Sequence, residues 1–272
     1  MIRLGRISYV NMAPVFFHLR ADVEEVTGVP TELNARLLAG EIDLAPISSI
    51  AYGRHAERLR ILPRVAVASE GAVDSIQLVS RAPLSRIRTV AVTPESATSV
   101  VLVRVLLPDA DHVPLGEEAD AKLLIGDAAL ESMFEDPTPH HDLGRLWRER
   151  TGLPMVYAVF ACPDPQPEGI AEVEDALLEA HAENRAEPEI LAREASVRYG
   201  YPPGFLARYF EKLRYSFGPR ERAGLITFFE LAREVGELER VPELRFVRAP
   251  VQAGQAPAGR ARQASPLQGE GS

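Results

Sequence analysis

The sequence predicts a two-lobed α/β protein with a cleft between its lobes. Three observations carry this prediction. Short apolar strands alternate with amphipathic helices through the first part of the chain. Two extended segments, 75–81 and 155–162, flank a compact α/β insert. From about Glu168 the pattern turns to helices. Two strand-like crossings around an inserted unit are what a hinged fold needs, and the space between such lobes is a common ligand site. The expected division is 1–82 plus 156–248 for the first lobe and 83–155 for the second.

The elements follow in order. Ile2, Leu4 and Ile7 mark a first strand ending near Ser8. Pro14 suits the first turn of a helix over Val15 to Leu19, because the N–H it lacks would have no partner there. Leu33, Leu37 and Leu38 give a helix over 32–40 closed by Gly40, and 42–47 is a short buried strand before a helix from Ile50 to His55. Val65 to Ala68 and Ser75 to Ser80 are strands. In the insert, strands are expected at 90–92 and 121–125 and helices at 100–107, 128–133 and 143–151, with a loop over 135–140. Met155 to Ala161 is a strongly apolar strand. Helices are then expected at 169–183, 188–199, 203–213 and 221–235, the last stopping at Gly236. Residues 249–272 hold only Val251 and Leu267 as larger aliphatics, too little to offset chain entropy, and are expected to be a disordered tail.

Composition removes several function classes. The 272 residues carry a formal net charge of -9, which argues against a nucleic-acid surface. The single cysteine, Cys162, cannot form an internal disulfide, and at the end of an apolar strand it reads as a core or hinge residue. No stretch approaches the length of a membrane span. The N-terminal residues lack an apolar core of signal-peptide length, so a cytoplasmic location is expected. Neither a phosphate-binding glycine loop nor a metal-ligand spacing is present, and no metal is expected. His140 and His141 fall in a proline-rich loop and read as solvated. The acidic helix at 168–183 reads as a solvated face.

Polar residues gather instead where strands end and helices begin, the position at which open α/β sheets bind ligands. Tyr9 and Asn11 follow the first strand, and Asn11 offers both a donor and an acceptor. Asn11 and Pro14 could equally serve only to make the turn. Ser48 and Ser49 occupy the same place after the next strand, and Ser96, Thr98 and Ser99 repeat it in the insert. Each of these hydroxyls could simply cap a helix, but the free N–H groups of a helix start also hold carboxylates. Gly126 would let a ligand approach the backbone, and Asp127 could bind there or cap the next helix. Together these positions suggest a cleft that binds an anion through neutral donors.

Six segments in order, spanning residues 7–154, resemble the menaquinone-biosynthesis family that holds chorismate dehydratase and, more distantly, dihydroxynaphthoate synthase. They are Ile7–Pro14 (ISYVNMAP), Leu37–Ser49 (LLAGEIDLAPISS), Gly71–Ser75 (GAVDS), Ser96–Ser99 (SATS), Leu124–Asp127 (LIGD) and Thr151–Pro154 (TGLP). The C-terminal helices fit as well, around Tyr215 to Gly236. The opening segment is similar to the dehydratase branch; the Cys-Pro-Asn-Asp start of the sister branch is absent. The resemblance implies a periplasmic-binding-protein-like fold of type II and the loss of water from chorismate to give 3-[(1-carboxyvinyl)oxy]benzoate in the futalosine route, with no cofactor. It places Asn11 and Ser75 nearest the reacting ring, with Tyr9, Ser48, Ser49, Ser96, Thr98, Ser99, Gly126 and Asp127 around the substrate. Three other readings stay open at this point: a non-catalytic solute binder, the sister enzyme, which would need a base such as His140 or His141, and the sensing domain of a regulator.

Overall fold

A computed structural model describes residues 1–248. The expected tail at 249–272 lies outside the described residues. The chain starts with β1 (Ile2–Ile7), a 3-10 turn at Val10–Met12, α1 (Ala13–Phe16), β2 (Val23–Gly28) and α2 (Pro30–Leu38). Next come β3 (Ala45–Ser48), α3 (Ser49–His55), β4 (Leu59–Ser69), β5 (Ile76–Val79), β6 (Thr89–Val92) and α4 (Ala97–Leu106). Then follow β7 (Asp111–Pro114), β8 (Ala121–Ile125), α5 (Gly126–Glu135), β9 (His140–Asp142), α6 (Leu143–Thr151) and β10 (Met155–Pro163). The chain closes with α7 (Ile170–Ala186), α8 (Pro188–Tyr199), α9 (Pro203–Phe210), β11 (Leu213–Ser216) and α10 (Pro219–Glu234). Proline opens α2, α8, α9 and α10, where its fixed φ favours the first turn.

Two main sheets organise these elements. One is antiparallel with order β11-β4-β10-β3. Its central strand β10 is buried along nearly its whole length, which accounts for its unbroken apolar run. The parallel pair β1-β2 joins this sheet where Gly5 N–H donates to Leu44 O at 2.7 Å. The other sheet has order β7-β6-β8-β5-β9 and draws its strands only from residues 76–142. Its β6 runs parallel to β7 and β8, and β5 runs antiparallel to β8 and β9. Strand β5 thus pairs within this sheet, although the sequence reading set it on the other side of the boundary at 82.

Other local expectations shift too. The first helix is shorter than expected and ends at Phe16, because Phe17 is extended and His18 takes a φ of 61°. The predicted helix over 203–213 stops at Phe210, and β11 follows it. The C-terminal part is therefore not purely helical. Residues 140–142, expected at the end of a loop and in the approach to a helix, form β9. The acidic α7 is not solvated throughout. Glu174 is buried and accepts from the Arg64 backbone N–H at 2.8 Å and from its guanidinium.

Aromatic packing joins the two parts of the chain. Trp147 of α6 is fully buried against Phe228 of α10, and its Nε1–H donates to Pro154 O at 3.2 Å. Cys162 is buried in β10, and burial pushes its thiol up to about 12, as befits a core residue. No helix among the described residues is long and apolar enough to cross a membrane. Among the same residues, no group of three or more His, Cys, Asp or Glu side chains is placed to hold a metal ion.

Candidate active site

A cavity with about 550 Å³ of empty space, its mouth included, lies where the strand ends of both sheets meet. Tyr9 and Asn11 reach it from the segment after β1, Ser48 from the end of β3, and Ser75 from the segment entering β5. Ser96 and Ser99 reach it from the start of α4, and Gly126 from the start of α5. Ile7, Val67, Val73, Ile76, Ile125 and Leu213 supply an apolar wall. Among the described residues, no side chain lining it carries a formal charge.

Asn11 is the most telling member. Its Oδ1 is buried and has no hydrogen-bond partner. Its backbone carbonyl is fixed by the hydroxyl of buried Tyr215. A buried acceptor without a donor is costly. Asn11 also lines the cavity, so the residue with this unpaired acceptor borders open space. Ser75 lines the same cavity. Its N–H donates to Val73 O at 2.7 Å, while its Oγ has only a long 3.4 Å contact with that same carbonyl. The preceding residue, Asp74, holds a φ of 59°, a left-handed backbone uncommon outside glycine but best tolerated by Asn, Asp and His, and its carboxylate pairs with Lys212.

Ser48 is held by Asn34, whose Nδ2 donates to the Ser48 Oγ at 3.1 Å and whose Oδ1 accepts the Ser48 N–H at 2.9 Å. That arrangement leaves the Ser48 hydroxyl proton available to a ligand. Ser96 Oγ accepts from Ser99 N–H at 3.3 Å and lies 2.9 Å from Ser99 Oγ, so the pair caps α4 and lines the cavity at once.

Three predicted residues do not line the cavity. Ser49 is fully buried, and its Oγ donates to Val156 O at 2.7 Å. Thr98 accepts the Ile50 N–H at 3.3 Å, joining the start of α4 to that of α3. Asp127 accepts the Val10 N–H at 3.1 Å, and burial raises its carboxyl above the usual range. It clamps the Asn11 segment to α5. Tyr9 helps the clamp: its hydroxyl donates to Glu95 at 2.7 Å, and its ring rests on Gly126. A Cβ on Gly126 would come within 2.7 Å of that ring, and the residue holds a φ of +56°. Glycine is required there for both reasons. Neither His140 nor His141 lines the cavity. They lie in β9, where His140 Nε2 is 2.8 Å from Ser132 Oγ and burial lowers the pKa of His141. They are half-buried rather than solvated.

Several residues of the site escaped the sequence reading. Tyr157, buried in β10, lines the cavity and lies 2.9 Å from Ser69 Oγ. Ser69 Oγ donates to Gly71 O at 2.7 Å, so the shared proton comes from Tyr157. Asp142 secures the segment leading to Ser75. Its carboxylate accepts the N–H groups of Val73 (3.0 Å), Asp74 (2.7 Å) and Arg145 (2.9 Å), and the Gln77 amide at 3.1 Å. Burial pushes this carboxyl up while the donors hold it down. An Asp just ahead of a helical pattern is a capping signal in the sequence, but its other donors are 65–69 residues away.

The geometry agrees with what this chain is similar to. Residues 2–234 match the family model described as menaquinone biosynthesis. The chorismate dehydratase of Thermus thermophilus is 37% identical over 256 residues, covering 84% of this chain and 93% of that protein. The chorismate dehydratase of Campylobacter jejuni is 32% identical over 167 residues, covering 58% of this chain and 66% of that protein. Among solved structures, the periplasmic aliphatic sulphonate binding protein SsuA of Escherichia coli aligns with a TM-score of 0.67 at 15% identity over 98% of both chains. That likeness establishes the periplasmic-binding-protein-like fold. The chain belongs to the menaquinone biosynthesis family.

Proposed function

We propose that this protein is a chorismate dehydratase, a carbon–oxygen lyase that removes water from chorismate to give 3-[(1-carboxyvinyl)oxy]benzoate in the futalosine route to menaquinone. The names of the two relatives support the reading. The observation that carries it here is the unpartnered Asn11 amide oxygen in a cleft lined only by neutral groups. In this reading the five-stranded sheet is one lobe and the remaining strands build the other, with the substrate between them.

In the elimination, the C–H bond at the ring carbon bearing the enol ether breaks. Its electron pair becomes the last ring double bond, and the neighbouring C–O bond breaks to release the hydroxyl. The proton and the hydroxide together make the water lost. Aromatisation drives the step, so the protein's task is to orient the substrate and stabilise the leaving oxygen. Asn11 Oδ1 accepts the O–H of the leaving hydroxyl, and the Ser75 O–H donates to its oxygen. The hydroxyls of Ser48, Ser96 and Ser99, with the start of α4, hold carboxylates, and the apolar wall takes the ring. No Asp, Glu, His or Lys lines the cleft, so a carboxylate of the substrate accepts the ring proton. Ser49, Thr98 and Asp127 support the walls, and Tyr9 covers the mouth.

The test is to incubate the purified protein with chorismate and separate the products with mass detection. A product lighter by one water with a benzoate ultraviolet spectrum is expected. Unchanged chorismate in the presence of folded protein would count against the proposal and favour a binding role.

A further inference from the structure

Four buried tyrosines stand behind or beside the cleft. Three have a partner: Tyr157 meets Ser69, Tyr201 donates to Asp127 O at 3.2 Å, and Tyr215 donates to Asn11 O. Tyr209 of α9 does not. Its side chain is buried, and its hydroxyl makes no hydrogen bond. The ring is fixed by stacking on Phe205 at 6.2 Å with an interplanar angle of 5°, and by Phe210 at 5.7 Å. The stacked ring limits where the hydroxyl can turn, and the end of α9 lies beside the Ser75 segment, because Lys212, whose N–H donates to Tyr209 O, pairs through its ammonium with Asp74; Ser75 is the hydroxyl nearby. Burial keeps it protonated and therefore a donor. Ser75, for its part, has an uncommitted hydroxyl, since its single 3.4 Å contact is to a carbonyl already taken by its own N–H.

We infer that Tyr209 is a positioning residue of the cleft, completing a chain of two hydroxyls in which Tyr209 O–H donates to Ser75 Oγ and Ser75 O–H donates to the leaving oxygen. This rests on the dehydratase reading above. A hydroxyl that both accepts and donates is a stronger donor than an isolated one, because each bond polarises the next. The chain forms once a ligand turns the Ser75 proton into the cleft, which explains why a natural core retains an unpaired phenol where Phe would fit without loss.

The experiment compares wild type with Tyr209→Phe, each also in a Ser75→Ala background, using steady-state turnover of chorismate and thermal unfolding. Tyr209→Phe should lower kcat by about tenfold, the effect of one polarising hydrogen bond. KM should stay within about twofold, and the Tm should be unchanged or higher, because the variant removes an unpaired buried hydroxyl. In the Ser75→Ala background the same change should have no further effect on kcat. A wild-type kcat in Tyr209→Phe, or an equal loss with and without Ser75, overturns this inference alone. Wild-type protein inert towards chorismate overturns it together with the proposed function.

Discussion

The cleft wall and the knot around Asp142 are built from similar polar groups and are completed in opposite ways. At Asp142 a buried carboxylate takes three backbone N–H groups and one side-chain amide, all within 3.1 Å on its better oxygen. At the cleft, Asn11 Oδ1 and, behind it, the Tyr209 hydroxyl are also buried and have no partner among the described residues. The segment 73–75 connects the two: Asp142 grips its start, and its end presents Ser75. Satisfied polar groups hold the backbone in place, and in the dehydratase reading the unsatisfied ones serve the substrate. Rigidity of the first kind is what keeps donors of the second kind aimed.

The largest expected effect breaks the cleft side alone. Asn11→Ala should cut turnover by about a hundredfold, as misplacement of a reacting group does, and Ser75→Ala, which removes the donor to the leaving oxygen, should also reduce it. Both should unfold near the wild-type temperature, since neither the Asn11 amide oxygen nor the Ser75 hydroxyl carries a strong protein contact. Undiminished turnover in both variants would remove them from the site. Asp142→Ala should do the reverse and act on stability first. It strands four donors, at about 1–3 kcal/mol for each one buried and unpaired, a large share of a typical total of about 5–15 kcal/mol. Urea titration measures the loss; a variant with normal stability would make Asp142 something other than a structural knot. Gly144→Ala sharpens the comparison from the packing side. A Cβ there would lie 2.3 Å from Gly71 O and 2.5 Å from the Tyr157 hydroxyl. Overpacking of this kind costs about 1–3 kcal/mol, and near-wild-type thermal unfolding would show that the 69–71 turn gives way easily.

How much of this was legible in the sequence depends on where each element sits. Strands in the sheet interiors announced themselves through apolar runs, β10 most clearly. The strands that escaped or stayed faint, β2, β7, β9 and β11, all lie at sheet edges, where one flank is uncovered and the residues are mixed. His140 and His141 therefore read as loop, and Leu213 as the end of a helix. At the cavity, the rule that ligands meet strand ends pointed to Asn11, Ser48, Ser96 and Gly126, all of which line it. It could not choose between neighbours, because one step along a strand–helix junction turns a side chain from cavity to core. Ser48 faces the cavity while Ser49 ties to Val156, and Ser99 faces it while Thr98 holds Ile50. Asn34, Tyr157 and Asp142 stayed hidden because their meaning lies in partners 14, 88 and up to 69 residues away.

In the dehydratase reading the cleft orients the substrate and contributes no titrating acid or base. Tyr9 and Tyr157 are the ionisable side chains lining it, and burial raises both above their ordinary range, so they stay protonated at neutral pH. The pH dependence of kcat for chorismate turnover tests this most directly. A flat profile between about pH 6 and 9 is expected, since an essential protein acid or base titrating in that window would bend it. A sigmoid with a midpoint near the histidine range, abolished in His141→Asn, would contradict the account and return the base to the protein.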